Sequence, residues 1–229
     1  TAHFYANLVA GKSYTLSITN NATSSTTASD SVIDLVSASF ATNMIKNGGF
    51  EGGDTLGSMY KQANSGVYNP HWTATGATGK TGLAKSGSSW INAALDVGTY
   101  ALYMQTKPDD SSTISVYQTF YADLPGIYSF SFHHAMRSNS DSPVTRVRIY
   151  SGSGTDGTVV KEWSVTSSAY SGNGVWDDFA ANVKRAEEGE YTLEFYRVGG
   201  TSKDISALID DVCLAWKEKI RRGLVIVVQ

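Results

Sequence analysis

Apolar and polar positions alternate with period two along much of the chain. Residues 126–132 read Gly-Ile-Tyr-Ser-Phe-Ser-Phe, which puts Tyr128, Phe130 and Phe132 on one face and small polar residues on the other. Residues 144–150 (Val-Thr-Arg-Val-Arg-Ile-Tyr) and 189–195 (Gly-Glu-Tyr-Thr-Leu-Glu-Phe) follow the same scheme. A half-buried antiparallel strand produces this pattern, with one side packed and the other wet. Further strands are predicted over 99–105, 113–120, 158–165, 178–184 and 207–215. Clusters such as Ser151–Gly157 and Ser171–Gly174 supply the turns between them. No window carries a helical stripe of useful length, and about eight short strands punctuated by Gly, Ser, Asn and Asp predict an all-β sandwich, a jelly roll. Residues 52–90 are polar and irregular and read as an extended loop region.

Two stretches repeat each other. Tyr14-Thr-Leu16 answers Tyr191-Thr-Leu193 at a separation of 177 residues, and Val32-Ile-Asp-Leu-Val36 answers Leu208-Ile-Asp-Asp-Val212 at 176. The expected division is therefore 1–42 as the closing strands of a preceding repeat or an accessory hairpin, 43–216 as one complete module, and 217–229 as a tail. Two strands are marginal alone in water, so 1–42 is expected to pack against the module or a second chain. The tail ends Gly-Leu-Val-Ile-Val-Val-Gln. An apolar β-branched segment of this kind is an aggregation hazard when exposed, so it is expected to pair as an added strand.

Composition narrows the function classes. Of 229 residues, 41% are hydrophobic and only 17% charged, with a net charge of −3; this is not the basic surface of a nucleic-acid binder. The longest apolar run, Leu224–Val228, is strand-sized and far short of a membrane-spanning helix. One cysteine, Cys213, allows no intramolecular disulfide and reads as a small buried residue. The aromatic share of 11% with so little charge fits a surface suited to neutral sugars, although much of it must be core.

The order of motifs carries a resemblance. The module opens with Asn47-Gly-Gly-Phe-Glu51, continues through Trp72, Tyr100-Ala-Leu-Tyr-Met-Gln105 and Val116-Tyr-Gln118, and closes with Leu208-Ile-Asp-Asp-Val212. Residues 44–216 thereby resemble the calcium-containing jelly-roll carbohydrate-binding modules of families 4, 9 and 22, within the galactose-binding-like fold. The resemblance implies a non-catalytic domain of a secreted or cell-surface protein, appended to a glycoside hydrolase or an adhesin and flanked by neighbouring modules. It also implies a structural Ca²⁺ held by Glu51, the Gly49 carbonyl and Asp210, with a further carbonyl from 76–88. Clustered carboxylates beside a carbonyl suit a hard cation that takes about six to eight oxygens; otherwise they accept backbone N–H bonds or sit in solvent.

Sugar recognition needs flat aromatic faces and planar polar side chains. Strand 126–132 continues into His133, His134, Met136 and Arg137. Arg137 with His133 or His134 is the expected polar part of a site, with Tyr103, Tyr117 or Trp90 as platforms. Tyr60 and Tyr68, in the long polar stretch, are further platform candidates. Trp72, Trp163 and Trp176 read as core or loop anchors, and Arg146 and Arg148 as a solvated strand face. Residues 74–81, Ala-Thr-Gly-Ala-Thr-Gly-Lys-Thr, nearly spell a phosphate loop but lack the first glycine, a preceding strand and a following helix. No nucleophile elbow, zinc helix or convincing carboxylate pair appears. A carbohydrate-binding module and a structural or adhesive repeat without a sugar site are the two main readings, and an enzyme domain is the third.

Overall fold

The structure, a computed structural model, describes residues 42–51, 60–62, 66–68, 71–76, 81–87, 95, 98–106, 113–137, 144–167, 176–185, 187–198 and 205–218. They form β1 (Tyr60–Gln62), β2 (Gly66–Tyr68), β3 (Trp72–Thr75), β4 (Thr81–Lys85), β5 (Tyr100–Thr106), β6 (Thr113–Ala122), β7 (Gly126–Met136), β8 (Val144–Ser151), β9 (Thr158–Thr166), β10 (Asp177–Arg185), β11 (Gly189–Val198) and β12 (Ile205–Glu218). There is no helix among the described residues, and so none long and apolar enough to cross a membrane. Of the expected remnant 1–42 all but Thr42, and of the expected tail 217–229 all but Lys217 and Glu218, which end β12, lie outside the described residues.

The strands make two antiparallel sheets of six. The first runs β1-β4-β5-β12-β7-β10 and the second β2-β3-β6-β11-β8-β9. The eight strands predicted from alternation are all present as β5–β12, so the all-β sandwich holds. The loop expected over 52–90 is corrected: β1 to β4 fall inside it. These strands are three to five residues long, too short to display an alternation. They exist because β4 pairs with β5 and β3 pairs with β6, both with strong patterns of their own. The near phosphate loop of 74–81 begins inside β3 and ends on the first residue of β4, so the expectation that no strand precedes it is corrected.

Alternation places one side of every long strand between the sheets. Tyr128, Phe130 and Phe132 of β7 face Leu193 and Phe195 of β11, together with Val147, Ile149, Ile114 and Val116. Phe132 lies edge-on to Phe195 at 5.1 Å and 4.8 Å from Phe179, and Phe130 stacks on Trp163 at 5.4 Å. Such aromatic pairs add about 0.5–1.5 kcal/mol each beyond the area they bury. Trp72 is fully buried against Phe50 and Phe195, so it is core.

A turn at the start of the module is laced onto the last strand. Asn43 Oδ1 accepts from Leu214 N (2.9 Å) and Ile45 N (3.0 Å), and its Nδ2 donates to the Val212 carbonyl (3.0 Å). Met44 N donates to Leu214 O at 2.8 Å. Asn47 closes the turn by donating to Glu51 O (2.7 Å) and accepting from Glu51 N (2.8 Å). Among the described residues, the three non-glycine residues with positive φ, Asn47 (50°), Phe50 (55°) and Asp211 (48°), all lie at this junction. Backbone strain concentrated in one place is held there by the surrounding bonds.

Candidate functional site

Each sheet has an outer face, and the two differ in kind. On the first sheet, Ala84, Ala101, Tyr103, Ala135 and Leu208 are wholly buried although they point away from the sandwich core. Leu95 and Trp176 pack against them, so this face is a second, smaller apolar layer and Trp176 is an anchor within it. Tyr103 is part of this layer, opposite Leu208 in the β5–β12 register. His133 lies on the same face, 3.3 Å from Asp178. Arg137 sits half-buried at the end of β7, its backbone N–H donating to Ser206 O at 3.1 Å.

His134 points the other way, into the sandwich. It packs on Phe132 at 5.6 Å and its Nδ1 lies 3.1 Å from Ser167 Oγ. Burial lowers its pKa below the usual 6.5, against the opposing pull of Asp177 and Asp178. The period of β7 requires this: counting in twos from Phe130 and Phe132 reaches His134 and Met136. Tyr117 belongs to the second sheet, so the expected grouping of Tyr117 with Arg137 and the histidines does not form. Tyr60 and Tyr68 lie in β1 and β2, but their side chains, like all of Trp90, lie outside the described residues.

The second sheet's outer face is polar and aromatic. Register places Thr73, Tyr117, Glu194, Arg148 and Glu162 in one row across β3, β6, β11, β8 and β9. The neighbouring row is Thr75, Ser115, Tyr196, Arg146 and Ser164. Five strands make each row about 19 Å wide. The Arg148 guanidinium lies 3.9 Å above the Tyr196 ring and Arg146 lies 5.9 Å from it. Arg148 Nε donates to Glu162 Oε2 at 2.6 Å, Nη1 donates to Tyr150 Oη at 3.2 Å, and Arg146 Nη1 donates to Glu162 Oε1 at 3.2 Å. Beneath them the buried Glu194 carboxylate accepts from Ser115 Oγ and Tyr150 Oη, both at 2.6 Å. Burial and the Glu194 bond push the Tyr150 hydroxyl up to about 12, and the Arg148 hydrogen bond holds Glu162 below the ordinary carboxylate value.

The loop between β8 and β9 bounds this face at one end. Thr192 Oγ1 donates to Gly152 O (2.9 Å), and Gly154 N donates to Thr119 Oγ1 (3.3 Å). The half-buried Tyr117 stands in the open part of the row. Arg146, Arg148, Glu162, Glu194 and Tyr196 were not singled out as a site from sequence. Their outward parity was visible, but their neighbours come from separations of 14 to 79 residues that only the sheet order brings together.

At the junction of the turn and β12, Gly49 and Asp210 are close: a Cβ on Gly49 would lie 3.9 Å from Asp210 Oδ1. Glu51 Oε1 accepts from Thr99 N (2.5 Å) and Tyr100 N (2.8 Å), which fixes its carboxylate beside Gly98. Asp210 is buried and its Oδ1 has no hydrogen-bond partner. Burial raises its pKa to about 8, opposed by a bond from the Asp211 backbone and reinforced by the charges of Asp211 and Glu51. Among the described residues no three His, Cys, Asp or Glu side chains converge on a point. Any cation here would need backbone carbonyls as well as the two carboxylates, a donor set that suits Ca²⁺.

No protein-family model matches the chain, and no curated protein matches it in sequence. Among solved structures it is similar to TmCBM61 in complex with beta-1,4-galactotriose, at 20% identity and a TM-score of 0.53, over 77% of this chain and 100% of that one. The N-terminal cellulose-binding domain of Cellulomonas fimi beta-1,4-glucanase C aligns at 16% identity over 67% of this chain and 93% of that one, with a TM-score of 0.44. The CBM22-1 xylan-binding domain of Paenibacillus barcinonensis Xyn10C aligns at 13% identity over 69% and 92%, with a TM-score of 0.42. The likeness to TmCBM61 is one of fold: this chain is a jelly-roll β-sandwich.

Proposed function

We propose that the chain is a non-catalytic carbohydrate-binding module of a secreted or cell-surface multimodular protein, and that it binds glycan on the outer face of the second sheet. The observation that carries this is the row Tyr117–Glu194–Arg148–Glu162, an aromatic ring beside planar polar groups already locked in place. Pre-organised groups of this kind lose little entropy on binding a sugar chain. Among the described residues the first sheet's outer face shows a buried apolar floor with Leu95 and Trp176 packed against it. A structural or adhesive repeat is the second reading. It is favoured by Tyr196, whose ring is only 5% exposed beneath Arg148. A glycan array on the intact chain and on Tyr117→Ala separates them. Binding that is lost in the variant supports the module, and no binding by the intact chain supports the repeat.

The same reading includes a structural Ca²⁺ at the junction of the first turn and last strand, held by the Asp210 and Glu51 carboxylates and the Gly49 carbonyl. The orphaned Asp210 Oδ1 fits it: a buried carboxylate oxygen without a partner is costly unless protonated or bound to a cation. When bound, the ion would supply charge neutralisation and tie the two ends of the module together. Asn47 bonds both the carbonyl and the N–H of Glu51, and Phe50 and Asp211 have positive φ beside the candidate ligands.

A further inference from the structure

The outer face of the second sheet keeps guanidinium hydrogen-bond donors unspent. Arg148 spends Nε on Glu162 and Nη1 on Tyr150, while Arg146 spends Nη1 on Glu162 and, at 3.4 Å, on Tyr196 Oη. That leaves Arg146 Nε, Arg146 Nη2 and Arg148 Nη2 without a protein acceptor. Tyr196 Oη, already accepting from Arg146, keeps its own proton to donate. Each Glu162 oxygen already faces a guanidinium and each Glu194 oxygen is held by Ser115 or Tyr150, so both carboxylates are half engaged and only Glu162 stands near the surface. Donors decide the matter, because the charges of the two arginines and two glutamates cancel. A neutral sugar meets the spare guanidinium donors only with single hydroxyl oxygens, one bond at a time. A carboxylate brings only acceptors, and a guanidinium meets it with short, charge-assisted, paired bonds.

We infer that this face selects acidic glycans, with a uronic-acid carboxylate held by Arg146 and the open edge of Arg148, and a neighbouring ring of the same chain against Tyr117. Tyr117 is two strands from Arg148, about 10 Å away, so the glycan runs across the strands. The inference rests on the carbohydrate-binding reading of this face, and departs from the expectation from composition that the surface suits neutral sugars. Arg146 is the group with the most to give: its side chain is 49% exposed, against 27% for Arg148.

The test is calorimetric titration of the full chain with polygalacturonate, alginate and glucuronoxylan, each beside its carboxyl-reduced form. At least one acidic glycan should bind roughly tenfold more tightly than its reduced partner, the equivalent of about one charge-assisted hydrogen bond. Added salt should weaken that preference, and Arg146→Gln should erase it with thermal stability unchanged. If the reduced form binds as well or better in every pair, the acidic preference is overturned while carbohydrate binding stands. If neither member of any pair binds and a neutral glycan array is also blank, both readings fall.

Discussion

Gly48 and Val212 meet back to back where the first turn crosses the last strand. Val212 N donates to Gly48 O at 3.0 Å, and a Cβ on Gly48 would lie 1.9 Å from the Val212 carbonyl oxygen. No rotamer change relieves a clash with backbone, so Gly48→Ala must pry the turn from β12. It should cost about 3 kcal/mol or more in denaturant unfolding. Gly152, with φ of 94° and open space around its Cβ direction, is the control. Gly152→Ala should cost only about 1–2 kcal/mol, the backbone term alone. Equal, small losses in both would mean that the turn and strand are not closely joined.

Asp210 makes stability depend on pH in an unusual direction. Its folded pKa near 8 lies above the ordinary 3.8, so between these values the folded state holds more protons than the unfolded state. Without cation, its contribution to stability is full below about pH 4 and is lost as pH rises through 8. Thermal melts in chelator should show this component, and Asp210→Asn should remove it. Added Ca²⁺ should raise the melting temperature at pH 8 in the native chain and not in the variant. A melt indifferent to Ca²⁺ at pH 8 would remove the cation from the account.

His134 acts in the opposite sense. Its folded pKa lies below 6.5, so the unfolded state takes up the proton first, and stability falls as pH drops from about 6.5. His134→Gln should flatten this component of the melting curve between neutral pH and pH 5. Direct NMR titration of the ring should find its midpoint below that of an ordinary imidazole. A midpoint at or above the ordinary value would contradict the buried environment beside Phe132 and Ser167.

Tyr103 and Tyr117 should separate stability from binding. Tyr103 is wholly buried in the apolar layer beyond the first sheet, so Tyr103→Ala should cost about 3–5 kcal/mol in unfolding. Tyr117→Ala removes a half-buried ring and should cost much less stability while abolishing glycan affinity. The reverse pattern would place the platform on the first sheet.

The strands were legible in the sequence wherever alternation ran for seven residues or more, as in 126–132, 144–150 and 189–195. It failed over β1 to β4, whose three to five residues follow their partners and not their own pattern. At the junction of turn and last strand, Gly49, Glu51 and Asp210 were legible as neighbours because the two ends of a sandwich meet there. The candidate glycan face was half legible. Parity turned Arg146 and Arg148 outward, but nothing local says that Tyr196, 50 residues on from Arg146, lies beside them. Tyr103 shows the converse: an outward parity does not mean exposure when loop residues such as Leu95 cover the sheet.

The central claim is that glycan binds the outer face of the second sheet. The most direct measurement is affinity electrophoresis on whichever glycan the array identifies, comparing the native chain with Tyr117→Ala and His133→Ala. Tyr117 stands in the row with Glu194 and Arg148, whereas His133 pairs with Asp178 on the opposite sheet. The account predicts that Tyr117→Ala migrates unretarded while His133→Ala is retarded like the native chain. Retardation lost in His133→Ala and kept in Tyr117→Ala would contradict it.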